Sequence, residues 1–129
     1  MKKPKIAFVV QRFGLDVNGG AETLCRLIAE RMIPYWEIDV LTSSAKDYVK
    51  RFQNEFPPGE EIINDVTVRR FEIDYLRSDD KVFSRLDEKV LRRESNDQEE
   101  ALWLKEIGPY SSTLISYIQE FQDQYDLFF

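Results

Sequence analysis

The feature that most limits the fold of this chain is a short apolar run, followed by a glycine-containing loop and a helical apolar repeat. The run covers residues 6–10 without interruption, which is typical of a strand buried on both faces of a parallel sheet. The loop covers residues 11–20 and is mostly polar. After it, apolar residues recur at helical spacing until Pro34 ends the pattern: Ala21, Leu24, Leu27, Ile28 and Met32.

A second strand is predicted directly after this helix. Residues 37–42 are rich in apolar and β-branched side chains, and they lead into a small polar turn at Ser43 and Ser44. The order strand, helix, strand within about forty residues predicts a crossover connection and parallel strands. We therefore expect an α/β fold, a Rossmann-like arrangement of three layers in which helices flank a parallel sheet.

The remaining segments alternate between helices and strands, as one α/β domain requires. A chain of 129 residues with 43% hydrophobic composition is long enough for one packed core. Two apolar pairs flank Asn64 and Asp65, which predicts either a hairpin or the entry of a strand around a tight turn. Further elements are predicted as follows: a short helix at Tyr48, Val49 and Phe52, helices at residues 81–93 and 98–107, a helix capped by Ser111 or Ser112, and a strand at residues 125–129.

Charge and composition exclude several classes of function. The net charge of −6 argues against a protein that grips nucleic acid through its phosphates. The chain has no histidine and one cysteine, so it offers neither a Cys/His metal cluster nor an imidazole base, and we expect no metal site. The first apolar run is too short for the core of a signal peptide or for a membrane span. We therefore expect a cytoplasmic protein.

The loop before the first helix is a candidate anion site. It places Asn18, Gly19 and Gly20 at a helix N-terminus, where free backbone N–H groups and the helix dipole favour negative charge. It is not a P-loop, because Gly20 and Ala21 stand where that motif needs Lys and Ser/Thr. A nicotinamide cofactor is also disfavoured, since Thr42 and not an acid ends the second strand.

These residues also resemble a known family. Lys5-Ile6-Ala7-Phe8-Val9, followed by Asn18-Gly19-Gly20-Ala21-Glu22 and by Leu27 and Ala29 in the helix, is similar to the opening of group 1 (family 4) glycosyltransferases. The Gly-Gly-Ala-Glu element is the specific part of this likeness. Weaker counterparts extend through the chain: Asp39-Val40-Leu41-Thr42, Pro58-Gly59 leading to Val66, Val68, Arg70 and Phe71, and Gly108-Pro109-Tyr110-Ser111.

The resemblance implies a GT-B fold and sugar transfer. Residues 1–129 would be its N-terminal, acceptor-side Rossmann-like domain, truncated, with the C-terminal donor-binding domain missing from the chain. The parent enzyme would be a retaining, metal-independent glycosyltransferase that uses a UDP-, GDP- or ADP-linked nucleotide sugar, and the fragment would be inactive alone. Expected partners are the missing domain, a sugar acceptor and a membrane surface for the parent enzyme, but no nucleic acid.

The resemblance and the strand ends together give a set of candidate site residues. Asn18, Gly19 and Gly20 would face the donor diphosphate, since glycine lets a backbone approach a ligand closely. Glu22 is either a binding residue or a first-turn acid that stabilises the helix dipole. Arg69 and Arg70 stand among acids, so solvated charge pairs are expected there. The acceptor-side candidates lie where open α/β sheets bind ligands, and no catalytic acid or base is identified: Arg12, Phe13, Gly14, Glu22, Ser43, Ser44 and Tyr110.

One other interpretation of the chain stays open from the sequence. The chain is alternatively a stand-alone α/β interaction or nucleotide-binding module, in which the Gly-Gly loop is only a flexible helix start.

Cys25 is expected to be a small core residue and not a nucleophile. The apolar run that ends the sequence predicts an exposed strand edge, and such edges pair with other chains, so self-association is expected.

Overall fold

The computed structural model describes residues 2–47 and 52–129. Of the short helix predicted at Tyr48, Val49 and Phe52, the first two residues lie outside the described residues, and Phe52, with a φ of 56°, is not helical. The strands are β1 (Lys5–Val10), β2 (Glu37–Ser43), β3 (Gly59–Ile63), β4 (Val66–Phe71) and β5 (Leu127–Phe128). The helices are α1 (Gly20–Met32), α2 (Asp80–Leu91), α3 (Asp97–Glu106) and α4 (Ser112–Phe121), the last followed by a 3-10 turn at Gln122–Gln124.

The five strands form one mixed sheet in the order β3-β4-β2-β1-β5. β4, β2, β1 and β5 are parallel to one another, whereas β3 is antiparallel to β4. The expectation of a fully parallel sheet is therefore wrong at β3. The reason is the tight turn at Asn64 and Asp65, whose φ angles of 48° and 67° suit a two-residue hairpin, which joins antiparallel strands. The predicted hairpin is confirmed.

α1 covers one face of the sheet. Phe8 and Val40 pack there against Ala29, which is fully buried in α1. Leu24 was predicted to belong to the apolar stripe of α1, but its side chain is 60% exposed. Ile28 and Met32 of the predicted stripe do pack against the core, where Cys25 and the buried Ala29 join them. Tertiary packing selects the face, because several leucines and isoleucines are spread around this helix.

α4 covers the opposite face of the sheet. Ser111 caps this helix by accepting a hydrogen bond from the backbone N–H of Leu114, as the sequence predicts for one of two serines. The buried Ala7 of β1 and Leu41 of β2 lie beneath its apolar side chains. The fold is therefore α/β with three layers in this region, in which α1 and α4 enclose the sheet.

α2 and α3 form a helical pair that packs mainly on itself. The indole Nε1 of Trp103 donates to Asp87 at 2.8 Å, and Lys89 Nζ lies 2.7 Å from Glu99. α3 begins with a capping box in which Asn96 and Glu99 bond each other's backbone. No residue of α2 is buried, so this pair adds surface to the domain and little to its core.

Two surface features bear on predicted partners. β5 lies at the edge of the sheet, where Leu127 and Phe129 are 52% and 70% exposed. Self-association through this edge stays a prediction. Among residues 2–47 and 52–129, no helix has the length and apolar character needed to cross a membrane.

Candidate functional site

The carboxyl ends of β1 and β2 meet at one edge of the sheet and border a cleft. The cleft measures about 220 Å³ and is lined by Val9, Val10, Gln11, Ser43, Pro109 and Leu114. Its floor is largely apolar, since Val9 is 42% exposed although it lies in a central strand. Open α/β sheets bind ligands at this edge, so the cleft lies where a ligand is expected.

An ion pair between Arg12 and Glu22 anchors the start of α1 at this edge. Arg12 Nη2 and Nε donate to the same oxygen of Glu22 at 2.7 and 3.1 Å. The two side chains are only 8% and 12% exposed. Arg12 also donates to the backbone carbonyls of Asn18 and Lys46, so one guanidinium connects the loops after β1 and β2. The pair is a buried structural tie, and Arg12 neutralises the acid at the helix N-terminus.

The two adjacent glycines occupy different environments. Gly19 has φ +155°, and a Cβ at this position would overlap the Glu22 carboxylate, with its carbon only 2.8 Å away. Gly20 begins α1, and a Cβ there would meet no atom within 4 Å. The N-cap residue of α1 is Gly19, which has no side chain that could accept hydrogen bonds from the amides of the first turn. Gly19 therefore shapes the loop, and Gly20 is the glycine with room for a ligand.

Several predicted acceptor-side residues are packed inside the protein. Phe13 is 1% exposed and belongs to the core beneath α1. Ser43 donates its hydroxyl to the Gln11 carbonyl, which joins the ends of β1 and β2. Ser44 is fully buried, and its carbonyl accepts the N–H groups of Glu55 and Phe56 at 2.9 Å. Of these three, only Ser43 lines the cleft, and the acceptor roles of all three stay predictions.

The other predicted residues lie on either side of the cleft. Asn18 is exposed and directly precedes Gly19, the N-cap residue of α1. Gly14 is buried, and a Cβ there would lie 3.4 Å from the Phe56 ring. Tyr110 stacks on Tyr75 with ring centroids 5.6 Å apart, directly after the cleft residue Pro109. The structure thus brings the Gly-Gly loop, Arg12, Glu22 and Ser43 to one edge of the sheet.

Cys25 lies on the buried side of α1, three residues after Glu22. Burial, together with the nearby Glu22 charge, raises the pKa of this thiol to about 11 from an ordinary value of 9.0. We expect alkylation by iodoacetamide at pH 8 to be about 100-fold slower than for an unfolded control, because the thiolate is the reacting species. Mass spectrometry in native buffer and in urea measures both rates. Equal rates would show that the thiol is accessible and unperturbed.

Arg70 and Phe56 were not predicted as site residues. The Arg70 side chain is 2% exposed, so the expected solvated charge pair is wrong for this residue. Its guanidinium lies 3.9 Å from the centroid of the Phe56 ring. The sequence of β4 indicates that Arg70 is buried, because Arg70 continues the alternation of the buried residues Val66 and Val68. Arg69, on the other face, is 32% exposed and pairs with Glu60 at 2.7 Å.

The part of the chain that the structure describes contains no group of three or more His, Cys, Asp or Glu side chains that could hold a metal ion. The features available for a ligand at this edge are instead the helix N-terminus, the glycine backbone and buried arginines. Such features recognise anionic groups through hydrogen bonds and charge. Comparisons with protein families, with curated proteins and with solved structures find no match to this chain.

Proposed function

We propose that this chain is the N-terminal, acceptor-side domain of a retaining, metal-independent glycosyltransferase with a GT-B fold. The parent enzyme transfers a sugar from a UDP-, GDP- or ADP-linked donor to an acceptor. The donor binds mainly to a second α/β domain, and the Gly-Gly loop of this domain contacts the diphosphate across the cleft. The domain alone has no transferase activity, because it forms only the acceptor side of the active site.

The uncapped N-terminus of α1 is the observation that carries this proposal. Gly20 offers open space beside first-turn amides, and the helix dipole favours an anion there. Glu22 would oppose a diphosphate, but its ion pair with Arg12 offsets that charge at 2.7 Å. The cleft between Val9 and Pro109, at the carboxyl ends of β1 and β2, has room for part of an acceptor. The sequence likeness to family 4 glycosyltransferases supports the same assignment.

Titration of the ¹⁵N-labelled chain with pyrophosphate, UDP, GDP and ADP tests the anion site. We expect amide shifts centred on Gly20 and Ala21, with dissociation constants of about 1 mM because half of the cleft is missing. Gly20→Ala should weaken pyrophosphate binding, since its Cβ occupies the approach to the amides. The nucleoside uridine serves as the control ligand. If uridine alone reproduces the UDP shifts, the loop does not recognise the diphosphate.

The reading frame beyond codon 129 tests the enzymatic part. We expect it to encode a second α/β domain, and the longer product to transfer sugar from a nucleotide donor in the presence of EDTA. NMR of the product should show that the anomeric configuration of the donor is retained. Inversion, a requirement for metal, or a reading frame with no second domain would contradict the proposal. The last result would favour a stand-alone α/β interaction or nucleotide-binding module.

A further inference from the structure

A second pocket lies on the α1 face of the sheet, between the β3–β4 hairpin and the loop after β1. It has a volume of about 150 Å³, enough for several water molecules at about 30 Å³ each. Arg70 of β4 lines it together with Phe56 and the backbone of Gly14. Its remaining lining residues are Leu15, Asp16, Glu61 and Ile63.

The guanidinium of Arg70 is incompletely paired. The residue is 97% buried, as its exposed fraction is 3%, and its Nη1 atom has no hydrogen-bond partner among the described residues. Burial lowers the pKa of Arg70 below its usual value, which indicates that its surroundings do not fully compensate the charge. A buried cation with an unused donor is unfavourable unless a partner arrives.

Glu61 is a poor partner for this cation. Its carboxylate lies 3.3 Å from Arg70 Nε and is 53% exposed. A charge-assisted hydrogen bond is usually about 2.7–2.9 Å long. The neighbouring pair, Arg69 and Glu60, reaches 2.7 Å on the opposite face of the same hairpin. Moving the Glu61 side chain into solvent therefore costs little free energy, and the Arg70 guanidinium can then bind a ligand.

We propose that Arg70 binds an oxyanion, either a phosphate or a carboxylate, in this pocket. A planar guanidinium recognises such groups through paired N–H donors, and the Phe56 ring holds the guanidinium at 3.9 Å from its centroid. Arg70 is the fifth residue of β4 and is paired with Thr42 near the end of β2, so the pocket lies toward the same edge as the Gly-Gly loop. In the proposed glycosyltransferase the oxyanion belongs to the acceptor, an assignment that rests on the proposed function.

Two glutamine substitutions on β3 provide the central test. Glu61→Gln and Glu60→Gln each remove one negative charge from an exposed residue of the same strand, but only Glu61 lines the pocket. We expect Glu61→Gln to tighten binding of inorganic phosphate by about fivefold, and Glu60→Gln to change it by less than about twofold. Chemical shifts of the Arg70 side chain at constant ionic strength report binding. Equal affinities of the two variants would overturn the proposal.

Arg70→Lys keeps the positive charge and loses the planar fork. We expect it to weaken phosphate binding by about tenfold. If this variant does not fold, the phosphate affinities of Glu61→Gln and Glu60→Gln test the proposal by themselves. Acetate in place of phosphate distinguishes a carboxylate from a phosphate site. Glucose 6-phosphate and the uncharged methyl glucoside test whether the oxyanion is needed when a sugar is attached. Equal chemical shift changes at Arg70 with these two ligands would overturn oxyanion recognition.

These measurements do not depend on sugar transfer. Pyrophosphate shifts at Gly20 report the donor-facing loop, whereas shifts at Arg70 report the pocket on β4. Failure at Arg70 with binding at Gly20 would reject only the oxyanion pocket. Binding at Arg70 with no second domain in the reading frame would reject only the glycosyltransferase.

Discussion

Gly19→Ala is expected to lower the free energy of unfolding by about 2–3 kcal/mol. The native φ of +155° at this residue is one that alanine rarely adopts. The new Cβ would also overlap the Glu22 carboxylate, whose other oxygen accepts from Arg12, so this side chain has to shift within the ion pair. Because Arg12 is 6% exposed, the shift weakens the pairing of a buried charge. Urea unfolding followed by circular dichroism measures the loss.

Gly20→Ala is the matched control for this substitution. It adds the same methyl group one residue later, in open space at the start of α1. We expect a free energy of unfolding that is unchanged or about 0.5 kcal/mol higher, because alanine restricts the unfolded chain. Similar losses for both variants would show that the loop tolerates neither side chain for a reason other than the Glu22 contact. This pair also separates loop shape, set by Gly19, from ligand access at Gly20.

Asp39→Ala is expected to destabilise the protein by about 3 kcal/mol or more. Asp39 of β2 is 5% exposed and accepts the Tyr125 hydroxyl at 2.6 Å. Its carboxylate also lies 3.8 Å from Lys5 Nζ and 3.7 Å from Arg69 Nε. Removing it leaves two cations and a buried phenol without their shared acceptor. The network joins β1, β2, β4 and the segment before β5, so thermal unfolding should remain cooperative at a lower midpoint.

Glu37→Ala is the control for the Asp39 substitution. Glu37 also pairs with Lys5, at 3.6 Å, but its side chain is 56% exposed. Surface ion pairs of this kind contribute about 0–1 kcal/mol, so we expect little change. A loss for Glu37→Ala equal to that for Asp39→Ala would show that the Lys5 contact, and not the buried network, carries the stability.

Tyr125→Phe tests the same network through pH. Burial and the hydrogen bond to Asp39 raise the pKa of Tyr125 above its ordinary value of 10.0. The unfolded phenol therefore loses its proton near pH 10 while the folded one keeps it, and stability falls as the pH rises beyond 10. We expect the free energy of unfolding to fall less steeply above pH 10 in Tyr125→Phe than in the original protein. Identical slopes would contradict the raised pKa.

The candidate site could be predicted only in part from the sequence. The Gly-Gly loop was located correctly at a helix N-terminus, because an apolar strand and a helical repeat flank it. The different environments of Gly19 and Gly20 were not predictable, since they depend on where the Glu22 carboxylate lies. Arg70 is misassigned when only its charged neighbours are considered, although its alternation with Val66 and Val68 indicates the buried face. How deeply Arg70 is buried depends on the partners that pack on this face of the strand.

Local chemistry in the sequence determined the α/β class, the order of the elements, the tight turn at Asn64-Asp65 and a serine cap at Ser111 or Ser112. Those features depend on hydrophobic period, turn residues and capping, which act over a few residues. Tertiary structure alone decided the order of the strands in the sheet, which residues of α1 pack on it, and that Arg12 pairs with Glu22 in the interior. It also brought Asp39, Lys5, Arg69 and Tyr125 together, because residues far apart in the chain meet only when strands pair and helices pack on them.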